Sequence, residues 1–492
     1  MASVRSALAI SFVGSYGIAL VQLVGTMILA RLLTPHEIGV YSIATVFMGF
    51  INAFRDMGVG QYLIQERDLT AEKIRRVYGA LFITAWFFAP LVYFAASPLA
   101  AFYAEPGLME VLHVLAISLL LIPFGATVQA GLSRNMQFGA VITIRLMATL
   151  TQAGTGIFLA WKGLGFMSLA WAAVARVAVT VVISNCYRPR DFFLLPVFTG
   201  LGEIFRFGGK SVSMTLIGEL SNGLPEIVLG KTLGMAQLGL YSRAQGQLRM
   251  FNALFMRTLT EVGTPYFARL HRRDQPLQPA YERAAEHIVG IAWPMFGAVA
   301  IVALPLIRVL YGPQWVASAS LVSVMCVSAC IGFTLPLSGQ ILMATGRINA
   351  ALTQTSLHAG LFATALIVAS PFGLTAVAWA GIPLAVLILA WRYLTLRRFA
   401  FRRGWLRGMV GRNVLVAVAA MTGPAAVRWW FGVDPEVPLV ALAIAAVLAG
   451  LGWMVGLVVV AHPLVGELVM LVRRVAPRAP LKWVERRVRA HG

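Results

Sequence analysis

Long apolar runs follow one another from one end of the chain to the other, separated by short polar stretches. Residues 7–29, 77–95, 348–370 and 437–461 are examples, each long enough as a helix to cross a hydrocarbon core of about 30 Å. No polar segment between such runs approaches the roughly 50 residues of a small soluble domain. The pattern predicts an all-α integral membrane protein with about fourteen transmembrane helices. The first run is too long for the apolar core of a signal peptide and has no convincing cleavage site, so it reads as a retained first helix. Composition agrees: 59% of the 492 residues are hydrophobic and only 12% charged, about half the charge of a soluble domain, and the mean hydropathy is +0.79.

Charge sets the expected topology. The net charge of +21 would suit a nucleic-acid binder if it formed one patch. Instead the basic residues collect in every second connection, at 67–76, 134, 188–210, 269–283, 347, 392–412 and from 473 onward. The alternate connections, near Pro35, Glu105, Gly163, Gly234, Gly312, Pro371 and Pro435, are weakly charged or acidic. That is the positive-inside pattern, with both termini cytoplasmic, and it points to anionic lipids rather than nucleic acid as the partner of the basic surface. The segment from 464, rich in Leu, Val and Arg, reads as an amphipathic helix on the inner leaflet. Cys186, Cys326 and Cys330 fall in or at the ends of apolar runs and read as buried small residues, not metal ligands.

The chain repeats itself. A shift of 200 positions aligns residues 31–42, Arg-Leu-Leu-Thr-Pro-His-Glu-Ile-Gly-Val-Tyr-Ser, with 231–242, Lys-Thr-Leu-Gly-Met-Ala-Gln-Leu-Gly-Leu-Tyr-Ser. It also pairs Ser15 with Thr215 and Gln22 with Asn222, and a shift of 208 matches 165–172 with 373–380. Six-helix halves that both begin on the cytoplasmic side are parallel repeats, a transporter architecture with substrate held between them near the midplane. The expected organisation is a lobe at 1–200, a second at 201–400, an extra helix pair at 401–463 and a basic tail at 464–492, with the two lobes around a central cavity.

Several landmarks resemble the polysaccharide-transport (Wzx-type) branch of the multidrug/oligosaccharidyl-lipid/polysaccharide exporter superfamily. Residues 30–41 look like the end of its first helix, and 229–234 with 238–244 like the matching point of the second half. Residues 134–138 (Arg-Asn-Met-Gln-Phe), 311–315 (Tyr-Gly-Pro-Gln-Trp) and 343–347 (Met-Ala-Thr-Gly-Arg) follow in order. The resemblance spans about residues 1–400. It implies a flippase that moves an undecaprenyl-diphosphate-linked oligosaccharide across the bacterial inner membrane by alternating access, with polysaccharide polymerase or export machinery as downstream partners. One departure concerns helix 7, where the family often carries an Asp before its Gly-Arg/Lys. Here Pro225 stands near that place with Glu226 beside it.

The chemistry such a task demands selects the candidates. A diphosphate needs cations, and Arg offers a permanently charged fork for phosphate oxygens. Charges within membrane segments are costly and tend to face a cavity or a partner. Arg243, Arg249 and Arg257 on helix 8, Arg145 on helix 5, Arg176 on helix 6 and Arg55 at the inner end of helix 2 are therefore the candidate diphosphate ligands. Arg243 and Arg257 alternatively snorkel, and Arg55 alternatively pairs with Asp56 to close the cytoplasmic gate. Thr215, Glu219, Asn222 and Glu226 share a face of helix 7, and Ser15 and Gln22 repeat that stripe on helix 1; they are glycan-facing candidates or a packed seam. Glu219 and Glu226 are also candidates for taking up a coupling proton or sodium ion, or for pairing with the Arg of helix 8. Gly218, Gly223, Pro225 and Gly230 suggest a bent or broken helix 7. His113 and His358 read as satisfied buried histidines. No cofactor, metal cluster or nucleophile–base pair is apparent, so the chain is not expected to be an enzyme. The competing readings are a cation-coupled drug exporter of the same superfamily and, less well supported, a membrane glycosyltransferase or polymerase.

Overall fold

The computed structural model describes residues 4–188 except 57–59, 61, 64, 65 and 67, then 195–397 and 404–475. Side chains at 4–13, 203, 207, 210, 211, 213, 214, 217, 251–262, 264 and 471–475 lie outside the description. Among the described residues every regular element is a helix. Contacts divide the chain into two compact units, Met1–Ser242 and Arg243–Gly492.

The first unit contains α1 (Val4–Leu32), α2 (Pro35–Asp56), α3 (Ala71–Tyr103), α4 (Pro106–Leu121), α5 (Pro123–Arg134), α6 (Phe138–Trp161), α7 (Phe166–Cys186) and α8 (Gly202–Thr232). It also holds the start of α9 (Met235–Arg272). Local sequence sets the boundaries. At α2, Thr34-Pro-His-Glu37 is a capping box with proline in the first turn. Glu37 Oε2 accepts from the Thr34 amide at 2.7 Å and its hydroxyl at 2.9 Å, and the Glu37 amide donates back to Thr34 Oγ1 at 3.3 Å. Glu105 and Pro106 open α4 in the same way, with Glu105 Oε1 accepting from the Gly107 amide.

The second unit contains α10 (Leu277–Ile301), α11 (Ala303–Tyr311), α12 (Ala317–Gly332), α13 (Ser338–Ala344), α14 (Ile348–Ala369) and α15 (Leu374–Leu396). The helix pair α16 (Trp405–Phe431) and α17 (Pro438–Val459) and the short α18 (Leu464–Val475) complete it. Among the described residues ten helices are long and apolar enough to span a membrane, or eleven with the bent pair α4–α5 as one span. The expected fourteen is not reached on apolarity alone: α8 and α9 carry too many polar residues and α12 is too short. Apolar side chains such as Leu20, Phe87, Phe94 and Leu451 remain exposed, as on a lipid-facing surface. Exposed Trp161, Phe372, Trp429 and Trp430 lie by the weakly charged connections, where an aromatic belt belongs.

The repeat is visible as equivalent joints. The α4–α5 pair bends by 54° at Ile122, because Pro123 cannot continue the hydrogen-bond ladder. Asn185 of α7 donates to the Phe124 carbonyl there at 2.9 Å. In the second unit Arg392 of α15 donates to the Gly332 carbonyl at the end of α12, at 2.7 Å. Positions 124 and 332 differ by 208 and positions 185 and 392 by 207, so one polar side chain serves the same broken span in each repeat. Gly39 and Gly239 meet the chain reciprocally: a Cβ on Gly39 would lie 1.9 Å from the Met235 carbonyl oxygen, and one on Gly239 would lie 1.8 Å from that of Pro35. The Ser42 and Ser242 hydroxyls hydrogen-bond at 3.0 Å.

The C-terminal pair α16–α17 packs through small residues. Gly452 lies against the Ala419 carbonyl, Gly456 against Val416 and Gly423 against Leu448, the close approach that membrane helices use in place of a hydrophobic driving force. It is stapled to α10 and α11 at both ends. Arg412 pairs with Glu286 at 2.6 Å and Trp453 Nε1 donates to the Gly290 carbonyl at 2.8 Å. At the other end Arg308 pairs with Asp434, and Arg428 donates to the Ile301 carbonyl at 3.1 Å. Leu464 and Val465 of α18 are buried in a cluster with Val416 and Leu457. The described part of the tail therefore docks on the helix ends; residues 476–492 lie outside the described residues.

Docking of α18 depends on a neutral histidine. His462 is fully buried, and its Nδ1 accepts from the Leu464 amide at 3.2 Å, capping the helix. Burial pushes its pKa down to about 4, with His287 and Arg412 adding to the effect, from an ordinary value of about 6.5. A depressed histidine pKa means the docked state resists protonation. Docking is thus at full strength above about pH 6.5 and is lost as the pH falls toward 4. A spin label on Met470→Cys is expected to be immobile near pH 7.5 and to gain mobility across that window. His462→Asn, which keeps an acceptor for the Leu464 amide, is expected to abolish the pH dependence.

Candidate functional site

In the first unit α8 packs against α2, with Glu219 of the polar stripe at the contact. The helix runs without interruption from Gly202 to Thr232 with Pro225 inside it, so of the expected bend or break the break is absent. Its glycines serve close packing instead, with Gly223 against Val46 and Gly230 against Ile43 and Tyr103. A Cβ on Gly49 would lie 2.7 Å from Glu219 Oε2, which sets the half-buried Glu219 carboxylate directly on the α2 backbone. Glu226 is buried at 5% exposure, whereas Thr215 and Asn222 are exposed. No ion pair joins Glu219 to an arginine among the described residues. On α1, Ser15 is half-buried and Gln22 exposed.

The six candidate arginines have different surroundings. Arg55 is buried and gives Nε and Nη2 to Asp56 Oδ1 at 3.0 and 2.5 Å, the expected ion pair. Its Nη1 is enclosed without a hydrogen-bond partner, and the Thr84 hydroxyl donates to its carbonyl. Arg145 on α6 and Arg176 on α7 are exposed, and among the described residues neither is paired with a carboxylate. Arg176 stands at the middle of a 21-residue apolar helix and lies within electrostatic reach of Tyr41 on α2. Arg55, Arg145 and Arg176 are thus spread over α2, α6 and α7.

In the second unit Arg243 does not snorkel. Its guanidinium lies 5.0 Å from the ring centroids of both Tyr311 and Trp315, a cation–π cage. The Tyr311 hydroxyl donates to Gln247 Oε1 at 2.5 Å. Arg249 is exposed and donates to Gln245 Oε1 at 2.8 Å. The side chains of Arg257 and Glu261 lie outside the described residues.

Three smaller expectations can be set beside the structure. His113 is satisfied, bonded to the Tyr93 carbonyl at 3.1 Å and stacked on that ring at 4.1 Å. His358 is instead exposed, stacked beside Phe362. Cys326 is buried, but Cys186 is exposed where α7 ends and Cys330 is half-buried. Among the described residues no group of His, Cys, Asp or Glu could hold a metal ion. Reading the sequence missed the cage around Arg243 and the joint residues Asn185 and Arg392. The aromatic pair in the 311–315 motif was the available signal for the first, and prolines 123 and 336 for the others.

Comparison with known proteins places these features in a family. Residues 28–320 match the family described as polysaccharide biosynthesis protein. The chain is 23% identical over 368 residues to the teichuronic acid biosynthesis protein TuaB of Bacillus subtilis (strain 168), covering 74% of this chain and 76% of that protein. It is 20% identical over 369 residues to the lipopolysaccharide biosynthesis protein WzxC of Escherichia coli (strain K12), covering 73% of each. Its fold resembles the lipid II flippase MurJ in an inward closed conformation, with a TM-score of 0.72 at 11% identity, over 91% of this chain and 98% of that one. The polytopic helical fold, the ordered landmarks and a match over more than half its length agree that this chain belongs to the polysaccharide biosynthesis protein family, whose members are membrane transporters rather than enzymes.

Proposed function

We propose that this protein is a flippase for a lipid-diphosphate-linked oligosaccharide in the bacterial inner membrane, working by alternating access with both termini cytoplasmic. The observation that carries this reading is Arg176, at the centre of an apolar span with no carboxylate partner among the described residues. A buried-depth charge costs several kcal/mol unless it meets water or an anion. A diphosphate that crosses the membrane with a polar glycan supplies that anion, and Arg145 adds a second cation on the neighbouring helix. Arg55 Nη1 in the same unit and Arg249 in the second unit are further candidate donors. Thr215, Asn222, Ser15 and Gln22 give neutral hydrogen-bonding groups to sugar hydroxyls. Arg243, held by its aromatic cage, positions the start of α9 rather than binding substrate. Basic connections hold anionic lipid headgroups on the cytoplasmic side, and polymerisation machinery consumes the delivered unit.

Reconstituted protein tests this reading. Wild type is expected to move a fluorescent undecaprenyl-diphosphate oligosaccharide across proteoliposomes. Arg176→Ala is expected to slow it at least about tenfold, some 1.4 kcal/mol, with Arg176→Lys keeping part of the rate. Equal rates in all three would remove Arg176 from the route. Wild type that moves no lipid-linked sugar but exports a cationic drug would install the drug-exporter reading. For the coupling ion, Glu219→Gln is expected to abolish acceleration by an imposed proton or sodium gradient while leaving gradient-free exchange intact. Unchanged acceleration would clear Glu219 of that role.

A further inference from the structure

We propose that the broken span of the second repeat is an anion-binding site, in which Arg392, His358, Gln354 and Ser338 hold one small anionic group where α12 gives way to α13. Such a site lies wholly in the second unit and is independent of what the protein carries. The two repeats differ at this place. The first bends with one residue, Ile122, between α4 and α5, whereas residues 333–337 of the second are unwound between α12 and α13. Shifted by 208, Ser338, Gln354 and His358 correspond to Ala130, Leu146 and Leu150, and Arg392 corresponds to Asn185 at 207. Three apolar side chains and a neutral amide are thus replaced together by hydrogen-bonding groups and a charge.

Unwinding frees carbonyls, and protein donors take them. Trp293 Nε1 donates to that of Cys330 at 2.6 Å, and Arg392 Nη1 to that of Gly332 at 2.7 Å. Donors are left over. Arg392 Nε is enclosed without an acceptor, and among the described residues no carboxylate pairs with this guanidinium. A carbonyl dipole satisfies one nitrogen but leaves the charge uncompensated, unlike the Glu286 carboxylate at Arg412. His358 lies within electrostatic reach of Arg392. It is exposed within a membrane-spanning helix, and its nitrogens make no hydrogen bond among the described residues. One turn before it, Gln354 Nε2 lies 3.1 Å from the hydroxyl of Ser338, which is buried at 3% exposure. Gln354 Oε1 is enclosed without a donor. Turning that amide over keeps the bond, with Ser338 now donating, and puts Nε2 in the enclosed position. Arg392, Gln354 and His358 then all offer N–H groups, and surplus donors beside a fixed positive charge within the membrane are the complement of an anion. A free halide and the phosphate of an anionic lipid share this chemistry.

Thermal unfolding of the purified full-length protein in an uncharged detergent tests the site. Replacing the bulky gluconate by chloride at equal ionic strength is expected to raise the unfolding midpoint, saturably, by about 2 °C or more. In Arg392→Gln, which keeps a donor for the Gly332 carbonyl, the rise is expected to vanish. His358→Leu and Gln354→Leu install the residues of the first repeat. Each is expected to need at least about fivefold more chloride for half the rise, and both report even where Arg392→Gln does not fold. Lys162→Gln, at an exposed cation of the first unit, should behave as wild type. If phosphatidylglycerol produces the rise in gluconate and chloride adds nothing, with the same losses in the variants, the site stands and a lipid phosphate fills it. No rise with either, or a rise that all the variants keep, would overturn the site.

Discussion

An arginine within an apolar span is tolerated only where something meets its charge, and the arrangement of this protein can be followed through how it meets each one. Arg55 is met by Asp56. Arg243 is met by the faces of Tyr311 and Trp315, and Arg392 by a carbonyl freed where a span breaks. Arg412 is met by Glu286, which fastens the extra helix pair. Each of these solutions also ties two elements together, so the charges act as joints. Arg145 and Arg176 have no such joint among the described residues, and that difference is what separates structural cations from candidates for a mobile anion.

Duplication supplies the frame, and substitution within it supplies asymmetry. Ile43 and Tyr103 lie together on Gly230 in the first repeat. Their counterparts at shifts of 200 and 208, Arg243 and Tyr311, lie together in the second. A greasy contact has become a cation–π contact at the same joint. Likewise a neutral Asn185 bonds the broken span of the first repeat where a charged Arg392 bonds that of the second. The second half thus carries charge at two joints where the first half is neutral, on equivalent scaffolding.

Much of this was legible before the fold was known. Apolar runs and the 200-residue offset are carried by the chain itself: helices stand where the apolar runs lie, and positions at that offset, such as Ser42 and Ser242, make matching contacts. What failed were signals with two physical meanings. Glycine and proline in α8 read as a bend or a break, yet the helix is continuous and Gly223 and Gly230 let α2 approach. Non-local partners were also hidden: nothing near Arg243 in sequence announces Tyr311 and Trp315. The helices richest in polar residues, α8 and α9, fall below the apolarity of a span for the same reason that they hold candidate residues.

The most direct measurement of the proposed activity is the sidedness of the lipid-linked oligosaccharide in cells depleted of this protein. A membrane-impermeant reagent that cleaves the exposed diphosphate linkage, added from the periplasmic side, reports the outer-leaflet fraction. The fraction is expected to collapse on depletion, with precursor accumulating on the cytoplasmic side, and to recover when the wild-type chain is restored. An outer-leaflet fraction that is unchanged by depletion would contradict the assignment of this protein as the flippase.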